Sequence, residues 1–153
     1  MTAIEYLVRA QSAYEAKQYV QALSLIADAE AEGKACAESL LLKGACIQLA
    51  EGTDFPVDYA LRAYDDVLSS QPHNARAWLE KGFFLLNVSD SASPAKVCFS
   101  EAARLFGGLL EMALAGLGQS ATESGVSQTA TISDMEVRLD EILKRVRVRL
   151  SSS

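Results

Sequence analysis

The sequence contains little of the material from which catalytic and metal sites are usually built. Its 153 residues include one histidine, one tryptophan and three prolines. The three cysteines, Cys36, Cys46 and Cys98, are odd in number and form no C-x-x-C pair. We interpret them as buried thiols in a reducing compartment, because a disulfide framework or a zinc site needs paired spacing. His73, the only histidine, follows Pro72 in an expected turn. We interpret it as a surface turn residue rather than as the base that nucleophilic catalysis requires.

Positive charge and long apolar runs are also scarce. The formal net charge is −6, which argues against a nucleic-acid partner, since such proteins carry basic patches. The most apolar stretch, residues 105–117, contains Glu111 and several glycines and is too short to span a bilayer. The first six residues lack the basic and apolar regions of a signal peptide. We therefore expect a cytoplasmic protein without a membrane span.

Two further patterns that could carry chemistry have simpler interpretations. Asp65 and Asp66 are adjacent in a predicted helix, where neighbouring side chains point about 100° apart. The two carboxylates therefore cannot share a substrate, and we interpret them as part of a solvated face. Gly107 and Gly108 are not followed by Lys-Ser or Lys-Thr, which excludes a phosphate-binding loop. No catalytic, cofactor-binding or metal-binding residue is expected, and the chain is predicted not to be an enzyme.

What the sequence does contain is helix-forming residues. Half of the residues are hydrophobic and 7% are aromatic, with alanine, leucine and serine dominating, which favours one all-α domain. The apolar spacing and the turn signals predict helices at 3–16, 19–31, 36–50, 57–70, 75–87, 94–106, 109–118 and 134–150. Between the last two, residues 119–133 are polar and predict a flexible loop.

The helical segments also repeat. The stretch LLLKGACI at 40–47 matches WLEKGFFL at 78–85, MALAGLGQ at 112–119 is a weaker copy, and YLVRAQSA at 6–13 has Ala10 in place of glycine. Their first residues are spaced by 34, 38 and 34. A second element, a small residue one turn before a large one, lies between the copies at Ala22/Ile26, Ala60/Tyr64 and Ala95/Phe99. Each unit is therefore predicted to be a helical hairpin.

This order of residues resembles the tetratricopeptide repeat (TPR) family over roughly residues 3–118. The resemblance implies an all-α right-handed superhelix of about three helical hairpins with a capping C-terminal helix. We assign residues 1–118 to the repeat domain, 119–133 to the flexible loop and 134–153 to a C-terminal amphipathic helix. Two lysines, Lys43 and Lys81, stand where the family usually has leucine, and the loop at 51–58 is about four residues longer than usual.

The first helix of each hairpin has two apolar stripes. In the third hairpin, Trp78, Gly82 and Leu85 form the stripe that we expect to pack inside the hairpin, with glycine allowing close approach. By resemblance, the second stripe lines the concave groove in which TPR proteins generally hold a ligand. That groove would be formed by Leu7, Gln11, Tyr14, Leu41, Ala45, Gln48, Leu79, Phe83 and Leu86. These residues are mostly apolar, which does not suit the capture of a peptide carboxylate.

The function expected from these features is non-catalytic protein binding. An exposed apolar groove suits an apolar peptide or an amphipathic helix, and the chain would act as an adaptor, scaffold, chaperone or assembly factor. Its size resembles that of the TPR chaperones of bacterial secretion systems. A competing interpretation is that the helix at 134–150 fills the groove or caps the last repeat. The partner's identity and homo-oligomerisation stay open.

The charge distribution supports a second hypothesis. Residues before 133 include nine basic and sixteen acidic side chains, a net charge of −7, and the remainder carries +1. An acidic surface could block a partner enzyme, as inhibitor or immunity-type proteins do, because charge steers association. Four basic residues lie near the C-terminus: Lys144, Arg145, Arg147 and Arg149. They would either interact favourably with the dipole of their own helix or bind an acidic partner or a membrane surface.

Overall fold

The computed structural model describes residues 1–50, 55–124 and 128–151, excluding the side chains of 117–124, 128–132 and 150. All secondary structure in these ranges is helical. The seven helices are α1 (Ala3–Glu15), α2 (Tyr19–Ala31), α3 (Ala37–Leu49), α4 (Asp58–Ser70), α5 (Ala75–Asn87), α6 (Ala92–Ser124) and α7 (Gln128–Ser151). The bounds of α1 to α5 confirm the sequence prediction to within one residue. Of the long loop predicted at 51–58, residues 51–54 lie outside the description.

Local sequence signals fix several of the helix ends. Thr2 and Glu5 form a capping box: the Thr2 hydroxyl accepts from the Glu5 backbone N–H at 3.2 Å, and the Glu5 carboxylate accepts from the Thr2 backbone N–H at 2.7 Å. The Asn74 side chain accepts from the Ala77 backbone N–H at 3.0 Å and begins α5. Gly33 has φ +66°, the left-handed conformation in which glycine commonly follows a helix end.

Helices α1 to α5 pack in chain order. Contacts join α1 to α2, α3 to α4, α2 to α3, and α4 to α5, and α1 also reaches α3. One apolar cluster runs through these five helices, with Ile26, Cys46, Tyr64, Val67 and Phe84 essentially inaccessible to solvent. A smaller cluster joins α5 to the first half of α6. The three predicted hairpins correspond to observed contacts of α1 with α2, of α3 with α4, and of α5 with the first half of α6.

The two motif glycines are required by their neighbours. A Cβ on Gly44 would lie 2.5 Å from Cε1 of Tyr64, and a Cβ on Gly82 would lie 2.8 Å from Cε1 of Phe99. Both aromatic rings come from the large position of the Ala-x-x-x-large element in the following helix. The same glycine–ring contact thus recurs in two successive hairpins, which confirms that these glycines permit close helix packing.

Helix α6 differs from the prediction. Its 33 residues run from Ala92 to Ser124 without interruption, where the sequence predicted two helices, at 94–106 and 109–118. Each of Gly107 and Gly108 costs about 1 kcal/mol relative to alanine, but alanines and leucines around them favour continuation. The predicted loop at 119–133 is also helical at 119–124 and 128–133, and its residues 125–127 lie outside the description.

The chain divides into two compact units, unit 1 (Met1–Leu105) and unit 2 (Phe106–Ser153). Residues 106–118, which the sequence placed in the repeat domain, therefore group with the C-terminal part. In unit 2, the apolar residues of the expected amphipathic helix differ in exposure: Met135 and Leu139 of α7 are half-buried, whereas Ile142, Leu143 and Val146 are exposed. The capping role of this helix stays a prediction.

Candidate functional site

The nine residues expected to form a groove lie on three helices of unit 1. Leu7, Gln11 and Tyr14 are on α1, Leu41, Ala45 and Gln48 are on α3, and Leu79, Phe83 and Leu86 are on α5. Their accessibility differs along this series, so the α1, α3 and α5 parts of the expected groove offer different surfaces.

The α3 part offers little apolar surface. Leu41 is 3% exposed and belongs to the main core cluster. The side-chain amide of Gln48 donates to the Tyr64 hydroxyl at 2.7 Å and to the Gly44 carbonyl at 3.3 Å, which fixes its orientation. A partner would meet a fixed amide here, and Leu41 acts mainly in the core.

The α1 part combines aromatic and polar groups. Leu7 and Tyr14 are half-buried against the core cluster, and the rings of Tyr14 and Tyr19 are 5.6 Å apart. Burial raises the pKa of the Tyr14 phenol, and the charges of Cys46, Tyr19 and Glu80 raise it further while Arg76 lowers it. Glu80 and Arg76 both belong to α5.

The α5 part is the most accessible apolar surface of the series. Phe83 is 47% exposed and Leu86 is 42% exposed. The rings of Phe83 and Phe99 meet edge to face, with centroids 5.1 Å apart and planes at 72°. We call Phe83, Leu86 and Phe99 the Phe83 patch. It is positioned by Gly82, which leaves room for the Phe99 ring to cross α5.

The sequence did not predict that Phe99 would contribute to the surface. The Ala95-x-x-x-Phe99 pattern assigned its ring to the hairpin interior, yet the residue is only half-buried. Its equivalent in the preceding hairpin, Tyr64, is completely buried. The distinguishing signal is that Phe99 belongs to the last hairpin, so no later hairpin needs to cover it.

Several open grooves lie on unit 1. The one beside the Phe83 patch, which we call the α6 groove, has a volume of about 390 Å³ and is lined by Leu86, Ala92, Ala95, Lys96, Phe99, Ser100 and Ala103. A larger one of about 790 Å³, which the sequence did not predict, lies between the beginning of α2 and the end of α3 and includes exposed Val20 and Leu49.

The lysines that replace the usual leucine form ion pairs between hairpins. Lys43 Nζ on α3 lies 2.7 Å from a carboxylate oxygen of Glu30 on α2. Lys81 Nζ on α5 lies 2.6 Å from Oδ1 of Asp65 on α4. In each Lys-Gly motif, the glycine therefore packs inside the hairpin while the lysine binds the preceding one. Asp65 has a structural role, and Asp66 is exposed.

The remaining polar candidates form no reactive arrangement in the described part of the chain. His73 is exposed in the turn before α5, and the described residues contain no group of three or more His, Cys, Asp or Glu residues arranged to hold a metal ion. All three cysteines are free; Cys46 and Cys98 are buried. Burial raises the pKa of the Cys46 thiol to about 11, which disfavours the nucleophilic thiolate.

Comparison of the chain with protein-family models, with curated proteins and with solved structures gives no match. Among the described residues, no helix is both long and apolar enough to cross a membrane.

Proposed function

We propose that this chain is a non-catalytic protein-binding module whose partner surface is centred on the Phe83 patch. The partner is an apolar peptide or an amphipathic helix, and the chain acts as an adaptor, chaperone or assembly factor. The architecture underlying this proposal is a TPR-like right-handed superhelix. It is supported by the packing of α1 to α5 in chain order and by the glycine–ring contact that recurs in two hairpins.

The observation that carries the proposal is the edge-to-face pair of exposed Phe83 and half-buried Phe99, beside exposed Leu86. Phe84, the next residue in the chain, is completely buried, so α5 already fills the core without Phe83. Aromatic residues, phenylalanine included, are enriched at protein interfaces relative to the rest of the protein surface. The patch is apolar, and the α6 groove beside it also contains two polar side chains, Lys96 and Ser100, which are both exposed.

The shape of the surface indicates what kind of ligand suits it. Along the expected groove, the exposed apolar side chains are Phe83 and Leu86 on α5, whereas the α3 part presents the fixed Gln48 amide and the α1 part the Tyr14 phenol. An amphipathic segment would place its apolar side chains on the Phe83 patch and its polar side chains towards these groups.

Selection of peptides from a displayed library on the immobilised chain tests the proposal without knowledge of the native partner. We expect enriched peptides to share apolar residues at i, i+3 or i+4, and i+7, and to lose binding to the Phe83→Asp variant. Val97→Asp is the matched control, because Val97 is exposed on α6 and does not line the α6 groove. Failure to enrich any peptide, or equal binding to both variants, would overturn the proposal.

Salt dependence separates this proposal from the acidic-inhibitor alternative. Apolar burial is weakened little by salt, so affinities of the selected peptides should change little between low and high ionic strength. Selection of mainly basic peptides, with association rates that fall steeply as salt is added, would favour the acidic surface instead.

A further inference from the structure

Helix α7 of unit 2 differs from α1 to α5 in how much of its apolar surface is accessible. Every side chain at positions 140–149 is exposed. Ile142, Leu143 and Val146 are 50%, 52% and 46% exposed, whereas Ile26 of α2 is completely buried. The second half of α7 therefore leaves apolar side chains open to a ligand.

The apolar side chains of α7 share one face of the helix. Successive residues of an α-helix are rotated by about 100°, and five apolar residues of α7 fall within an arc of about 100°. They are Met135, Leu139, Ile142, Leu143 and Val146. An arc of this width is typical of the apolar face of an amphipathic helix, and its exposed part is formed by the last three residues.

Charge is divided unevenly along the same helix. Residues 134–141 include four acidic side chains and one basic one, whereas residues 142–149 include four basic side chains and no acidic one. An ion pair of Asp140 with Lys144 at 2.9 Å offsets one of the four cations. The exposed half of α7 is therefore locally cationic, although the net charge of the chain is −6.

Basic side chains border the apolar face on both sides. Arg145 lies about 60° beyond Ile142 at one edge of the arc, and Arg147 lies about 40° beyond Leu143 at the other edge. Arg145 also lines a shallow open groove on α7 together with Ile142 and Val146. Because an arginine stem can lie along an apolar surface while its charged end reaches a polar layer, this face suits an occupant in which apolar and anionic layers adjoin.

The surface of a membrane that contains anionic lipids has such layers. Its acyl region takes up the apolar face of an amphipathic helix, and its negatively charged headgroups attract lysine and arginine beside that face. We propose that residues 142–149 of α7 bind the surface of an anionic membrane, with the helix lying in the plane of the headgroups.

Other occupants match the face less well. A parallel second copy of α7 would bring the basic halves of two chains together, which is unfavourable. An antiparallel copy would have to pack its exposed half against Met135 and Leu139, which are already half-buried in the single chain. An acidic protein would pair with the cations, but it would also need an apolar surface to cover Ile142, Leu143 and Val146.

Co-sedimentation of the full chain with lipid vesicles tests the proposal. We expect binding to vesicles of phosphatidylcholine mixed with phosphatidylglycerol, and binding about tenfold weaker to pure phosphatidylcholine. Val146→Asp should weaken binding to the anionic vesicles about tenfold, because it places a carboxylate in the apolar face. Val137→Asp is the matched control, since Val137 is 56% exposed, lies on the opposite side of α7 and gains the same negative charge. Equal loss in both variants, or no binding to anionic vesicles, would overturn the proposal.

Neutralisation of the arginines tests the contribution of charge. Arg145→Gln combined with Arg147→Gln should weaken binding to the anionic vesicles about tenfold. Lys17→Gln combined with Arg62→Gln removes the same charge from exposed positions of unit 1 and should leave binding unchanged. If the arginine variant loses binding while Val146→Asp retains it, charge alone accounts for the attraction, as it would for an acidic protein partner, and the membrane proposal is wrong.

Thermal unfolding and sedimentation without vesicles identify the remaining occupants. Val146→Asp should lower Tm if the chain itself covers this face, and should dissociate a dimer if a second copy covers it. We expect neither change, and either one would refute the proposal. Phe83→Asp should bind anionic vesicles as the wild type does, so vesicle binding and the peptide binding of the proposed function can fail separately.

Discussion

Gly44 lies so close to the ring of Tyr64 that a Cβ on the glycine would be 2.5 Å from the ring's Cε1 atom. Tyr64 is completely buried, and its hydroxyl accepts a hydrogen bond from Gln48 at 2.7 Å, so the ring has little freedom to move. This contact joins α3 to α4, and its counterpart between Gly82 and Phe99 joins α5 to α6.

The glycine contact predicts that Gly44→Ala is destabilising although alanine favours helix. The gain in helix propensity is about 1 kcal/mol, and overpacking a core costs about 1–3 kcal/mol. We expect a net loss of about 1 kcal/mol in the free energy of unfolding, measured by urea denaturation. A Cβ on Gly107 meets nothing within 4 Å, so Gly107→Ala should instead raise the free energy of unfolding. Stabilisation by both substitutions would contradict the packing role.

The ion pair of Lys43 with Glu30 predicts a modest coupling between neighbouring hairpins. The two side chains are 21% and 32% exposed, and the Nζ–oxygen distance is 2.7 Å. A double-mutant cycle with Lys43→Leu and Glu30→Gln should give a coupling of about 0.5–1 kcal/mol, smaller in 1 M salt. The more exposed pair of Arg76 and Glu80 within α5, 3.8 Å apart, is the control and should show a smaller coupling. Equal coupling in both cycles would refute the assignment.

The contact of Tyr6 with Glu32 predicts a pH-dependent contribution to stability. The Tyr6 hydroxyl donates to a Glu32 carboxylate oxygen at 2.7 Å, and hydrogen bonds from Lys34 and then Tyr6 lower the pKa of Glu32 from 4.5. A lowered carboxyl pKa stabilises the fold above the unfolded value, and this contribution is lost as pH falls through the folded value. Tyr6→Phe should therefore reduce Tm more at pH 7 than at pH 3. An equal reduction at both pH values would show that Glu32 is not involved.

The cysteines are predicted to differ in reactivity. Burial raises the pKa of Cys46 to about 11 and also raises the pKa of Cys98, whereas Cys36 is half-buried at the beginning of α3. With a thiol reagent such as DTNB at pH 8, one thiol per chain should react quickly and two only after unfolding in urea. Cys36→Ser should remove the fast phase. A fast phase that survives this substitution would mean that a buried thiol is accessible.

Much of the fold could be predicted because local signals and the repeat agree. Helices α1 to α5 follow from apolar spacing together with caps such as Thr2 and Asn74, and the glycine positions were correctly expected to permit close packing. Helix α6 could not be predicted because Gly107 and Gly108 suggest a break, whereas glycine imposes only a moderate helix penalty. Whether a helix stops at such a pair depends on what its two halves can pack against.

The candidate site was less predictable, because exposure depends on packing between distant residues. Leu41 and Phe83 occupy equivalent stripes, yet one is in the core and the other is half exposed. The partners of Lys43 and Lys81 could not be read from the repeat, since Glu30 precedes its lysine by 13 residues and Asp65 by 16. Such pairs become visible only when the angle and spacing of neighbouring helices are known.

The affinity of a selected peptide for the Phe83→Asp variant shows whether the Phe83 patch is the surface that binds the partner. Because Phe83 is 47% exposed and Phe84 fills the core, the substitution should leave Tm nearly unchanged while peptide affinity, measured by calorimetry, falls at least tenfold. Val97→Asp should change neither quantity. Unchanged peptide affinity in the folded Phe83→Asp variant would contradict the proposed function. Unfolding of that variant would contradict it as well, since Phe83 would then be a core residue.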